Sequence, residues 1–208
     1  MIQFAAFEKS YGDRLIIKAD LQLDDEFYWL KGSNGSGKST LLKSVAGLIP
    51  YKGRITIDDL DIKKHRVAYR NAVSYAEAEP VYPDFLTGND LVAFYMETKG
   101  GSKQQADALT ERLNIGSFMH TKTGTYSSGM LKKLSLALAF IGSPKLIMLD
   151  EPFITIDTTG IEQLDELIQT HVSNGVQMLI TSHQELNFAG KKPVLLQIEN
   201  SELVNKRI

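Results

Sequence analysis

The stretch Gly32-Ser33-Asn34-Gly35-Ser36-Gly37-Lys38-Ser39-Thr40 constrains this chain more than any other, because it fits the phosphate-loop pattern G-x-x-x-x-G-K-[ST] without a mismatch. Residues 27–30 before it are apolar and read as a buried strand, and residues 39–48 after it read as a helix. The glycines therefore fall where a strand must turn sharply into a helix. A Gly/Ser-rich surface loop spelling the same letters would lack those flanking elements. Glycines let successive backbone N–H groups curl around phosphate oxygens, and the positive end of the following helix favours the same negative charge. Lys38 is expected to reach the terminal phosphates, and Ser39 to offer its hydroxyl to a magnesium ion carried by the nucleotide. A chain of this kind should bind a nucleoside triphosphate.

With 208 residues, 43% of them apolar, there is enough chain for one well-buried α/β domain with a small insertion, and too little for two full domains. Lys and Arg (23) nearly balance Asp and Glu (25), and a formal charge of −2 creates no field that would gather nucleic acid, so no nucleic-acid partner is expected. Cysteine is absent, which excludes disulfides and thiolate metal sites. The longest apolar run, residues 134–141, is broken by Ser135 and falls short of the about 20 residues of a spanning helix. Residues 1–7 lack the basic, apolar and cleavage regions of a signal peptide and read as a first strand. The last expected strand, residues 194–198, leaves too few residues behind it for a further regulatory domain.

Short apolar runs at residues 2–7, 54–57, 73–75, 146–149, 178–181 and 194–198 alternate with helical patterns, the signature of a layered α/β design. In the expected helix over residues 158–172, Ile161, Leu164, Leu167, Ile168 and Val172 share the face that would cover a sheet. Between residues 75 and 146 only helical signals occur, at 87–98, 102–113 and 129–141, so a helical insertion is expected there. Gly100-Gly101 and residues 114–125 read as connecting turns, and the pairs Lys63-Lys64 and Lys191-Lys192 as solvated surface.

A second constellation follows the strand Leu146-Ile147-Met148-Leu149, which ends in Asp150-Glu151-Pro152. Such residues are common at any strand-to-loop turn. In a parallel sheet, however, the carboxyl edge is where ligands bind, so the acidic pair should arrive beside the phosphate loop. Asp150 would hold magnesium through water, and Glu151 would orient and polarise an attacking water. A third element, Met178 to Ser182, is an apolar strand followed by His183. A lone histidine is usually a packed or surface residue, and only its place relative to the other two motifs gives it weight.

The segment Tyr126-Ser127-Ser128-Gly129-Met130, with Leu131-Lys132-Lys133-Leu134-Ser135-Leu136-Ala137 behind it, resembles the signature LSGGQ and trailing basic helix of the ABC (ATP-binding cassette) ATPases. Ser127 and Gly129 match the serine and second glycine; Tyr126, Ser128 and Met130 depart from the pattern. Read alone, the segment is a Ser-Ser-Gly turn with a serine helix cap. With the other motifs, the resemblance covers essentially the whole chain. It implies an α/β fold: a P-loop NTPase core with a mostly parallel central sheet, an N-terminal antiparallel β subdomain and an inserted α-helical subdomain at about residues 82–143, within one ATPase domain over 1–208.

The resemblance also implies ATP and Mg²⁺ as ligands, with Lys38, Glu151 and His183 as catalytic residues, and Ser39 and Asp150 as metal ligands. Tyr11 matches the aromatic that stacks on adenine, and His183 the histidine that contacts the γ-phosphate. Asp157 matches the aspartate of the loop facing a dimer partner. In the family, the signature of one subunit closes over ATP held by the other, which implies a head-to-tail homodimer or heterodimer. One departure stands out: Ala78 occupies the position where the family usually carries a glutamine that helps ligate magnesium and senses the membrane partner. A methyl group does neither, and Glu77 or Glu79 is the available substitute.

The leading reading is an ATPase subunit on the cytoplasmic face of the membrane that drives a separately encoded integral membrane permease. Residues 81–96, including Phe85, Phe94 and Tyr95, match the region that receives the partner. The rivals are a soluble ABC ATPase of non-transport machinery and a low-turnover, nucleotide-gated module.

Overall fold

The computed structural model describes residues 1–183, 185, 188 and 190–206. Among these, β1 (Ile2–Tyr11) and β2 (Arg14–Leu23) form a long antiparallel hairpin, followed by β3 (Phe27–Lys31) and α1 (Lys38–Val45). Next come β4 (Lys52–Ile57), the short β5 (Leu60–Asp61), α2 (Arg66–Ala72) and β6 (Val73–Ala76). Three helices, α3 (Gly88–Lys99), α4 (Lys103–Arg112) and α5 (Ser128–Ala139), separate β6 from β7 (Leu146–Leu149). The chain then runs through α6 (Thr158–Ser173), β8 (Gln177–Ser182), β9 (Val194–Glu199) and β10 (Glu202–Asn205).

All ten strands belong to one sheet, in the order β5-β4-β1-β2-β10-β9-β3-β8-β7-β6. From β9 to β6 neighbouring strands are parallel; β5, β4, β1 and β2 are antiparallel to one another. The two sectors meet at β2 and β10, whose ladder consists of the single pair Glu202↔Lys18. An ion pair of 3.1 Å between the same two side chains reinforces it.

Every residue of β7 and β8 is buried, as expected of parallel strands covered on both faces. Alternate residues serve different cores. Ile147 and Leu149 join Met178, Ile180 and the apolar stripes of α3 to α6, whereas Leu146 and Met148 join Leu179, Leu41, Leu42, Val45 and the antiparallel strands. Leu164, Leu167, Ile168 and Val172 of α6 are buried as the helical spacing predicts, while Ile161 in its first turns is 38% exposed.

Four elements, β2, β5, α2 and β10, have no counterpart among the expected strands and helices, and the two longest show why. In β2, Ile17, Ala19 and Leu23 are buried between outward Lys18, Asp20 and Gln22, a period-two pattern and not a run. In α2 only Tyr69 and Ala72 are buried, too little for a helical stripe. Strand register makes the functional edge. Leu30 pairs with Thr181, Ile180 with Leu149 and Leu149 with Ala76, so the carboxyl ends of β3, β8, β7 and β6 stop at one level. The segments that follow them converge on one edge of the sheet.

Candidate functional site

The phosphate loop leaves β3 and enters α1 through Gly37, whose φ of +103° is accessible to glycine without strain. A Cβ there would also stand 3.1 Å from Ile16 Cγ2. No side chain caps α1, and its first turn holds no acidic residue, so the N–H groups at its head are left for an anion.

Lys38 follows at once and is 6% exposed. Its Nζ donates to the carbonyls of Gly32 (2.6 Å) and Ser33 (3.2 Å) and stands 3.5 Å from Glu151 Oε1. Glu151 takes a φ of +45°, strained for a glutamate and characteristic of functional turns. Its Oε2 lies 3.2 Å from His183 Nδ1, and its buried Oε1 accepts no hydrogen bond. The carboxylate therefore sits between an ammonium and an imidazole.

Thr181, fully buried in β8, organises this turn: its hydroxyl donates to Asp150 Oδ1 at 2.6 Å and accepts the Glu151 backbone N–H at 2.9 Å. Tyr75 of β6 donates to Asp150 Oδ2 at 3.2 Å. Burial foremost, then the negative charges of Asp150 and Glu77, hold the Tyr75 phenol above its ordinary range, so it acts as a donor. From α5, Lys132 donates to the backbone oxygens of Glu77, Ala78 and Asp150. Burial pushes its ammonium down to about 8, against the opposing pull of Asp150 and Glu151. Thr181, Tyr75 and Lys132 do not stand out in the sequence as site residues, because only strand register and α5 packing bring them to Asp150.

The cleft over the loop has a volume of about 460 Å³. Ser33, Asn34, Gly35, Ser36, Gly37, Lys38, Ser39 and Thr40 line it together with Glu151 and His183, as the motifs predict. Arg14 and Ile16 of β2, Ala78, Glu79 and Ile154 complete the wall. Gly32 and Asp150 are not on that wall, and Asp150 is 1% exposed. Tyr11 also stands outside it, 53% exposed, with Lys9 Nζ 4.5 Å from its ring centroid. Of the two glutamates flanking Ala78, Glu79 faces the cleft, whereas Glu77 pairs with Lys43 at 3.1 Å.

Ser127 and Asp157 are exposed, Gly129 is half-buried, and none of the three lines the cleft. Ser127 caps α5 by accepting the Met130 N–H at 3.2 Å, and Met130 Sδ accepts the Ser127 N–H. Gly129 packs so tightly on the 155 turn that a Cβ would stand 2.9 Å from the Thr155 carbonyl oxygen. Asp157 caps α6 and pairs with Lys133 of α5 at 2.9 Å. Tyr126 serves as an anchor: 8% exposed, it donates to the Phe118 carbonyl, accepts the Gly88 N–H and packs edge-on against Phe118.

Among the described residues no cluster of three or more His, Asp or Glu side chains could hold a metal alone. The donors at hand include the exposed Ser39 hydroxyl, the Asp150 carboxylate, each of whose oxygens keeps a free lone pair, and the Glu79 carboxylate on the cleft wall. Such an all-oxygen, low-count set suits Mg²⁺, which retains waters and binds through one or two protein groups plus phosphates.

The sequence profile of the ABC transporter family matches residues 19–154. The cytochrome c biogenesis ATP-binding export protein CcmA of Histophilus somni (strain 129Pt) is 32% identical over 183 residues, covering 84% of this chain and 83% of that protein. The lantibiotic transport ATP-binding protein SrtF of Streptococcus pyogenes is 31% identical over 186 residues, with 88% and 80% covered. Among solved structures, an ATP-binding subunit of an ABC transporter superposes with a TM-score of 0.88 at 21% identity, covering 99% of this chain and 90% of that one. A dimeric ATP-binding cassette in a post-hydrolysis state with ADP and Pi gives 0.83 at 20% identity, covering 100% and 99%. The motifs, the sheet that brings them together and these matches agree: the chain belongs to the ABC transporter family, as an ATP-binding cassette with ATPase activity.

Proposed function

We propose that this chain is the ATP-hydrolysing motor of a transporter whose membrane-spanning part is a separate polypeptide, and that it works as a head-to-tail pair of ATPase domains at the cytoplasmic face. The observation that carries the reading is the meeting of Lys38, Glu151 and His183 around the uncapped head of α1. In this reading Lys38 exchanges its loop carbonyls for the β- and γ-phosphate oxygens. Glu151 accepts a proton from water as that water attacks the γ-phosphorus and the bond to the β–γ bridging oxygen breaks. His183 contacts the γ-phosphate and holds Glu151 in place. Ser39 and Asp150 hold Mg²⁺ with the nucleotide, and the ion when bound neutralises charge on the phosphate oxygens.

The surface of Ser127, Gly129 and Asp157 lies outside the chain's own cleft, which is where a signature meant for a partner's nucleotide belongs. Relatives named as a cytochrome c biogenesis ATP-binding export protein and a lantibiotic transport ATP-binding protein support the transporter role. So does a hollow of about 590 Å³ between α2, α3 and β6, with Val67 74%, Phe94 58% and Leu48 57% exposed around it. We assign this apolar hollow to a short cytoplasmic helix of the membrane partner. Tyr75 lines the hollow and donates to Asp150, so docking there reaches the acidic pair through one side chain. Among the described residues no helix is long and apolar enough to cross a membrane. Copurification of the tagged chain with an integral membrane protein, lost on Phe94→Glu, is the expected result. Isolation only with soluble machinery overturns the transporter role.

Ala78 presents a methyl group to the cleft. Ala78→Gln is expected to raise ATP turnover and lower the magnesium concentration required for half-maximal rate. Unchanged turnover and magnesium dependence would mean that Ala78 does not limit hydrolysis.

A further inference from the structure

We propose that Lys132 is a positioning residue for hydrolysis, riveting the Glu77–Ala78 segment and the Asp150–Glu151 turn to the helix that starts at Ser127. Its side chain is 1% exposed, and its Nζ donates to Glu77 O at 2.9 Å, Ala78 O at 3.2 Å and Asp150 O at 2.7 Å. An ammonium has three protons, and here each has a carbonyl acceptor from a segment far away in sequence. No carboxylate lies within ion-pair distance of it among the described residues. Desolvating a charge against neutral carbonyls is costly, and removing it would leave the three carbonyls it serves unpaired.

What the cation adds is a fixed distance between three elements. Ala78 and Glu79 form part of the cleft wall, Glu151 another part, and the head of α5, capped by Ser127 and including Gly129, lies outside that wall. Lys132 lies one turn into α5. Any displacement of the α5 head is therefore transmitted to the backbone of Asp150, and from there to Glu151, whose own backbone is already strained. A misplacement of about 1 Å at a reacting group is enough to lower a rate about 100-fold. This role of Lys132 rests on Glu151 acting as the base.

Lys132→Met, Lys132→Arg and Lys132→Gln are compared with wild type by ATP turnover per nucleotide-binding site, with affinity for a fluorescent ATP analogue measured separately. The expected result is a kcat of Lys132→Met reduced about 10- to 100-fold with nucleotide affinity unchanged, and partial recovery in Lys132→Arg. Should Lys132→Met not fold, Lys132→Arg and Lys132→Gln carry the test by the same kcat-against-affinity split. Adding Lys132→Met to Glu151→Gln is expected to lower the rate no further, because both act through one carboxylate. Unchanged kcat per binding site, or a loss of affinity equal to the loss of rate, overturns the proposal. Glu151→Gln with wild-type turnover sinks the reading of Glu151 instead, whatever Lys132→Met shows.

Discussion

Glu151→Gln is expected to lower ATP turnover about 10²- to 10⁴-fold, the usual contribution of a positioned general base, while ATP binding persists. The amide keeps the shape of the side chain and its reach to His183 but accepts no proton from water at neutral pH. In the native site the carboxylate stands 3.5 Å from the Lys38 ammonium and 3.2 Å from His183 Nδ1. Its removal also takes a negative charge away from the place where phosphates arrive. Nucleotide affinity should therefore rise, and a paired, ATP-bound state should accumulate if the domains close over nucleotide. Phosphate release and fluorescent-nucleotide binding, measured side by side, decide the matter. Wild-type turnover in the variant removes Glu151 from the chemistry.

Lys38→Met has the second large expected effect, this time on binding. Charge-assisted hydrogen bonds contribute about 1.5–3 kcal/mol each, so MgATP affinity should fall at least about tenfold. Methionine keeps the buried stem, which separates loss of charge from loss of packing. Without a nucleotide the ammonium is already satisfied by the Gly32 and Ser33 carbonyls, so binding exchanges one set of acceptors for another. Methionine leaves those carbonyls bare and Glu151 without its nearest cation, and a lowered melting temperature should accompany the weaker binding. Calorimetry with ATP and Mg²⁺ reads the affinity; an unchanged dissociation constant contradicts the assignment of Lys38 to the phosphates.

Much of this site is legible in the sequence because its chemistry is local. The turn from Gly32 to Thr40 carries its own glycines, lysine and following helix, and apolar runs mark the strands whose ends deliver Asp150, Glu151 and His183. The rest depends on long-range register. Thr181 reads as one more residue of a buried strand until pairing sets it beside Leu30 and lets its hydroxyl bridge Asp150 and Glu151. Tyr75 and Lys132 likewise gain their partners only when β6 and α5 are placed against β7. The β2 strand escapes a search for apolar runs because its buried residues alternate with polar and charged ones, yet it supplies Arg14 and Ile16 to the cleft, where the sequence directs attention to Tyr11.

The narrow join between β2 and β10 gives the ligand a structural part to play. Arg14 and Ile16 stand on one side of that join, and the loop from Ser33 to Thr40 on the other. A nucleotide that touched both flanks would act as a mortar where the backbone ladder offers a single rung. Its free energy of association is then also cohesion between the two leaves of the sheet, so nucleotide should tighten the architecture as a whole and not merely occupy a pre-cut socket.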